Sequence, residues 1–241
     1  MGGVNQAREA ARAVAAATAP AAPRLSREEA AAAYLDAVVA GNRRRAFDVV
    51  DSALAGGMDI RGLYLDVFQP ALQEIGRLWQ QNRITVADEH LATAITQAAM
   101  ARLYERMFAA AGDTGPLLVA ACADGERHEV GLRMVCDLLE MEGWDTVFLG
   151  ATVPLDDLVR LVRERRPQVV ALSAAIAPNV PRVARAIGAI RHALPGDTAP
   201  VIAVGGRAFA EDPDLAARLG ADLTARDAAE AAERLNQRFA A

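Results

Sequence analysis

The stretch Leu117-Leu118-Val119-Ala120-Ala121-Cys122-Ala123-Asp124-Gly125-Glu126-Arg127-His128-Glu129-Val130-Gly131 joins a short apolar run to the opening of an amphipathic helical pattern. It presents His128 on a strand-to-helix loop, the place where open α/β sheets bind ligands. A neutral imidazole there can ligate a metal through one ring nitrogen. A carboxylate two residues earlier, Glu126, can accept the N–H of the other nitrogen and so fix the tautomer.

The same alternation continues to the carboxyl terminus. Apolar runs at 117–122, 145–149, 168–173, 200–204 and 221–224 are each followed by a helical window, at about 128–142, 155–165, 180–193, 207–219 and 226–239. Five strand-and-helix units predict a parallel, doubly wound sheet of flavodoxin or Rossmann-like type. A strand order of 2-1-3-4-5 places the crevice between the first and third strands, so the loops after them face each other. The third strand ends in Ser173, which puts a hydroxyl at that mouth, and Gly205-Gly206 ends the fourth, where missing side chains allow a bulky ligand to approach.

The amino-terminal half has a different period. Ser26 followed by Glu29 is a capping-box pattern, and Gly41, Gly56-Gly57 and Asn82-Arg83 divide the chain into helical windows at about 27–40, 42–55, 60–81 and 85–111. Leu63, Val67, Leu72, Ile75 and Trp79 recur at helical spacing in the third window, with Pro70 expected to bend it or relocate its hydrogen bonds. Thr85 with Asp88 caps the fourth, whose apolar stripe reads Leu91, Ile95, Ala98, Ala99 and Leu103. The fold class is therefore α+α/β: a leader over 1–25, a four-helix bundle over 26–112 and a parallel-sheet domain over 116–241.

Composition narrows the function. The 241 residues are 53% hydrophobic, enough to bury two cores, and the net charge of −5 argues against a surface dominated by nucleic-acid attraction. The two cysteines, Cys122 and Cys136, lie in apolar segments and read as buried free thiols. Since no apolar stretch approaches about 20 residues, no membrane span is expected and the default is a soluble, cytoplasmic protein. Arg163, Arg165 and Arg166 read as a solvated helix end, and His192 as a surface residue.

Glu126-x-His128-x-x-Gly131, Ser173 and Gly205-Gly206 together resemble the cobalamin-binding domain of methionine synthase, mutases and corrinoid proteins, whose usual form is Asp-x-His-x-x-Gly. The match covers 116–241. The resemblance implies that His128 replaces the cofactor's dimethylbenzimidazole as the lower cobalt ligand, and that the displaced nucleotide tail descends into the sheet crevice. Gly131 would leave room beside the tail, Ser173 would hydrogen-bond near it, Gly205 and Gly206 would let backbone pack against it, and Arg127 joins this cofactor-binding set. Glu126 departs from the commoner Asp by one methylene and still reaches the imidazole.

Trp79, nine intervening residues, then Glu89-His90 resemble the helical cap of CarH/LitR-type, light-responsive adenosylcobalamin receptors. By that resemblance Trp79 packs over the upper adenosyl group, Glu89 approaches its ribose hydroxyls and His90 supports the same surface. Gln80 stands where those receptors commonly carry a histidine able to capture cobalt after photolysis. Their helix-turn-helix domain has no counterpart in the leader, so direct DNA binding is not expected. The resemblance implies a stand-alone, photocobilin-like light sensor that signals through shape, homo-oligomerisation or a downstream partner, with biliverdin as a conceivable second chromophore. The alternative is a corrinoid methyl carrier serving separate methyltransferases.

Overall fold

The computed structural model describes residues 25–107, 115–212 and 214–240. The expected leader, apart from Leu25, and the end of the fourth helical window at 108–111 lie outside them. Two compact units divide the chain, Met1–Ala71 and Leu72–Ala241.

The described part of the first unit is helical. Helix α1 (Arg27–Val39) opens on the capping box, with the Ser26 side chain accepting the Glu29 N–H and Glu29 returning the bond to Ser26. Helix α2 (Arg43–Ala55) opens on Asn42, whose side chain accepts the Arg45 N–H. Helix α3 runs over 60–80 and passes into the second unit. Over Leu63–Phe68 it adopts π-helical bonding, and the Gln69 N–H reaches back to the Tyr64 carbonyl. Pro70 is the physical cause: it has no N–H to donate to the Asp66 carbonyl, and in a regular α-turn its ring would press on that group. Tyr34, Tyr64 and Phe68 are fully buried, with ring centroids 5.0 Å apart for Tyr34–Phe68 and 5.8 Å for Tyr64–Phe68.

In the second unit α3 ends on a Schellman arrangement. Asn82 takes a left-handed conformation (φ 54°), its N–H bonds the Trp79 carbonyl at 2.9 Å, and the Arg83 N–H bonds the Leu78 carbonyl at 2.9 Å. Helix α4 (Val86–Ala101) starts three residues later on the Thr85/Asp88 capping box. Its buried stripe is Ala92, Ile95, Thr96, Ala99 and Met100, continued by Leu103 beyond the helix end. Two residues placed in apolar stripes by sequence lie outside them: Leu91 is 48% exposed and Trp79 37%. Each is one residue, or about 100°, from the row that is buried. A short helix, α5 (Tyr104–Met107), follows.

The sheet is as expected: β1 (Leu117–Cys122), β2 (Asp145–Gly150), β3 (Val169–Ser173), β4 (Val201–Gly205) and β5 (Leu223–Thr224), all parallel, in the order β2-β1-β3-β4-β5. Helices α6 (Val130–Met141), α7 (Leu155–Arg165), α8 (Val180–Ala193) and α11 (Ala228–Phe239) connect or follow the strands. The window expected as one helix over 207–219 is two, α9 (Arg207–Ala210) and α10 (Leu215–Arg218). The Asp212 side chain holds the break by accepting from the Asp214 N–H and from Arg218. β5 is short because the Asp222 carboxylate, not backbone, takes the Ile202 N–H at 2.6 Å. Val119, Val170, Leu172, Ile202 and Val204 form one core with Val183, Ile187, Ile190 and Phe209. Among the described residues no helix is long and apolar enough to cross a membrane.

Candidate functional site

Three strand ends stand side by side, because Cys122 is paired with Ser173 and Ser173 with Gly205. The register therefore brings the loops bearing Glu126, His128, Ser173, Gly205 and Gly206 to one edge of the sheet. After β1 the chain turns at Gly125 (φ 77°), closed by the Glu126 N–H on the Ala123 carbonyl at 2.8 Å. Helix α6 begins only at Val130, so His128 stays on the loop.

Glu126 is buried and accepts five hydrogen bonds. One oxygen takes His128 Nδ1 at 2.5 Å and the N–H groups of Arg127 (2.9 Å) and His128 (3.0 Å). The other takes the Ala175 N–H at 2.8 Å and Asn179 Nδ2 at 2.9 Å. Burial pushes this carboxyl up, but the donors from His128, Asn179 and the backbone outweigh it and hold it well below the usual carboxylate range. Glu126 is thus an anion that ties the loop after β1 to the loop after β3. Its grip on Nδ1 raises the His128 pKa above the ordinary histidine value, with burial opposing. The His128 side chain is 45% exposed, and with Nδ1 engaged, Nε2 is the nitrogen left for a metal.

Asn179 and Arg182 escaped the sequence reading. Asn179 opens α8 without capping it; its Oδ1 instead accepts from Arg182 Nη1 at 2.8 Å, which also donates to the Asp124 carbonyl at 2.9 Å. The only signal was a polar residue in the loop after the third strand. The glycines differ in what they do. A Cβ on Gly206 (φ 97°) would lie 2.4 Å from the Ala174 carbonyl oxygen and 3.1 Å from Ser173 Oγ, so β4 and β3 loops pack through it. At Gly205 the nearest atom would be 3.8 Å away, and at Gly131 the space within 4 Å is open. Arg127 is exposed and contributes its N–H to Glu126.

The helical residues of this unit arrive by α3 and α4. The Glu89 carboxylate meets His90 Nδ1 at 2.5 Å and accepts Thr93 Oγ1 at 3.0 Å. Its charge acts on His128 and favours the imidazolium, while that of Arg207 opposes it. The Gln80 side-chain amide, beside Trp79, faces the Arg207 guanidinium, beside Gly206, and with its oxygen assigned toward those donors it accepts from both terminal nitrogens. His90 stays exposed with its ring against Glu89.

Among the described residues no group of three or more His, Cys, Asp or Glu side chains could hold a metal ion. With Nδ1 held by Glu126 and the ring exposed, His128 suits a metal that brings its remaining ligands with it, as a metal held in a macrocycle does. A single oriented imidazole, open space at Gly131 and a polar strand edge fit such a group.

The chain matches two family models, each described as B12 binding domain, over residues 30–104 and 116–236. It is 33% identical over 161 residues to the HTH-type transcriptional repressor CarH of Myxococcus xanthus, an alignment that takes in 67% of this chain and 52% of the repressor. To trimethylamine corrinoid protein 1 of Methanosarcina acetivorans it is 27% identical over 200 residues, covering 82% of this chain and 91% of that one. In fold it is similar to the monomethylamine corrinoid protein of Methanosarcina barkeri, with a TM-score of 0.76 at 21% identity over 88% of this chain and 100% of the other. The chain spans about half the length of the repressor, yet nearly all of the trimethylamine corrinoid protein. With the second family model alone taking in half of its residues, the chain belongs to the B12-binding domain family and is a cobalamin-binding protein with a corrinoid cofactor.

Proposed function

We propose that this protein binds adenosylcobalamin and responds to light, with His128 as the lower cobalt ligand and Trp79 and Glu89 facing the adenosyl group. The observation that carries this reading is the condition of those two residues. Trp79 is a large indole left exposed beside a buried helical stripe, and Glu89 is near enough to His128 for its charge to be felt there. When bound, adenosylcobalamin supplies a cobalt–carbon bond that green light breaks.

Each residue has a chemical part in this reading. Glu126 keeps the imidazole in the tautomer with Nε2 outward. The Glu89 side-chain oxygens accept hydrogen bonds from ribose hydroxyls, and the indole of Trp79 offers a flat apolar face to the adenosyl group. Gly131, Ser173, Gly205 and Gly206 border the nucleotide tail, with Arg127 and His90 at the margins of the lower and upper surfaces. Without that group Trp79 and Glu89 would lose their packing partner, and the helices bearing them would relax and signal through self-association or a partner protein.

Absorption spectra of protein reconstituted in darkness with adenosylcobalamin, with and without biliverdin, test the proposal. Retained adenosylcobalamin and prompt conversion under green light are expected, and Trp79→Ala should lose the preference for the adenosyl form. An unchanged preference in that variant would count against the roles of Trp79 and Glu89. A methyl-carrier reading is favoured by the alignment that covers nearly the whole trimethylamine corrinoid protein. Preferential binding of methylcobalamin, with transfer of its methyl group to a thiol acceptor, would replace the sensor reading with that one.

A further inference from the structure

Glu89, Thr93 and Gln97 follow one another on α4 at four-residue steps and so share a face. Thr93 donates to Glu89, and two turns on Gln97 Nε2 donates to Glu129 Oε1 at 2.9 Å. Glu129 is the residue after His128. Its second oxygen accepts the Ala151 N–H at 2.8 Å and lies against Gly150 (φ 76°), where a Cβ would come within 2.8 Å of it. The carboxylate is thus held between α4 and the end of β2, directly beside the ligand loop.

The buried side of α4, Ala92, Ile95, Thr96, Ala99 and Met100, packs the helix down, and the Gln97–Glu129 bond adds a directional tie on the adjoining face. A directional, charge-assisted hydrogen bond in a half-buried place selects one register. We infer that Gln97 and Glu129 are positioning residues whose hydrogen bond registers α4 on the His128 loop, and so sets the clearance for the group bound opposite His128. A second tie has the same logic at another loop, since Gln80 and Arg207 adjoin Trp79 and Gly206. It is more exposed and contributes less. The inference rests on the proposed facing of Trp79 and Glu89 toward the upper ligand.

The test compares affinities of the full chain for adenosylcobalamin and hydroxocobalamin in darkness. Gln97→Leu should lower the adenosyl-to-hydroxo affinity ratio about tenfold, the scale of a lost hydrogen bond to a charged group, with hydroxocobalamin binding within about twofold of wild type. Gln97→Glu should do the same by setting two carboxylates together. The reversed pair Gln97→Glu with Glu129→Gln should restore the ratio, because the new amide donates to residue 97 while its oxygen still accepts the Ala151 N–H. An unchanged ratio in Gln97→Leu, or a reversed pair no better than Gln97→Glu alone, would overturn the inference and leave the proposed function standing.

Should wild type itself show no adenosyl preference, the reading of Trp79 and Glu89 fails, and the tether is judged in cofactor-free protein by amide hydrogen exchange across Val86–Ala101. Gln97→Leu must accelerate that exchange about tenfold and the reversed pair must slow it again. Unaltered exchange would refute the tether itself.

Discussion

A carboxylate with five donors is the centre of the candidate site, and its neighbours divide into those that lie near it in sequence and those that do not. His128 and the two backbone N–H groups come from its own loop, which is why the pair Glu126–His128 was legible from spacing alone. Ala175 and Asn179 come from the loop after β3, a chain separation of 53 residues for the Asn179 bond, and nothing in the spacing of the first loop announces them. Asn179→Leu should cost about 1–3 kcal/mol, because it strips a donor from a buried anion and an acceptor from Arg182. Urea denaturation should show a lowered midpoint with an unchanged slope. For His128→Ala, cobalamin should bind more weakly or keep its own base coordinated, seen as a base-on absorption spectrum. Wild-type affinity and spectrum in that variant would refute lower ligation by His128.

At the scale of the element, helix starts were readable and helix faces less so. Ser26/Glu29 and Thr85/Asp88 form the capping boxes their spacing predicts, since each needs only local geometry. Thr85→Ala should destabilise the second unit by about 1 kcal/mol, visible as a lowered thermal midpoint, with Thr85→Ser restoring most of the loss. Pro70 relocates hydrogen bonding as expected, and the form it takes is the π-turn before it. The stripes were misjudged at Trp79 and Leu91, because composition says which residues are apolar while the packing partner decides which 100° sector is covered. Likewise the split of the 207–219 window depends on the Asp212 side chain meeting Arg218.

For the whole molecule, burial governs thiol reactivity, both at the end of β1 beside the site and within α6. Burial pushes the Cys122 thiol up to about 12, with the charges of Glu126 and Glu129 adding to it, and burial likewise raises Cys136 well above its ordinary value. At pH 8 a thiol with that pKa is thiolate in only about one molecule in ten thousand. Iodoacetamide should therefore leave both cysteines unmodified in the native protein and alkylate both within minutes in urea; fast native labelling of Cys122 would show that the β1 loop opens. The sequence by itself determined the alternation of strand and helix, the parallel class of the sheet and the motif Glu126-x-His128-x-x-Gly131, because period and turn residues act over short spans, whereas the order β2-β1-β3-β4-β5 is set by tertiary pairing. Only the tertiary structure decided that Cys122, Ser173 and Gly205 end in register, that Asn179 completes the shell of Glu126, and that Gln97 reaches Glu129. Those pairings join residues far apart in the chain, and hydrogen bonds between them form only once sheet register and helix packing have brought donor and acceptor within about 3 Å.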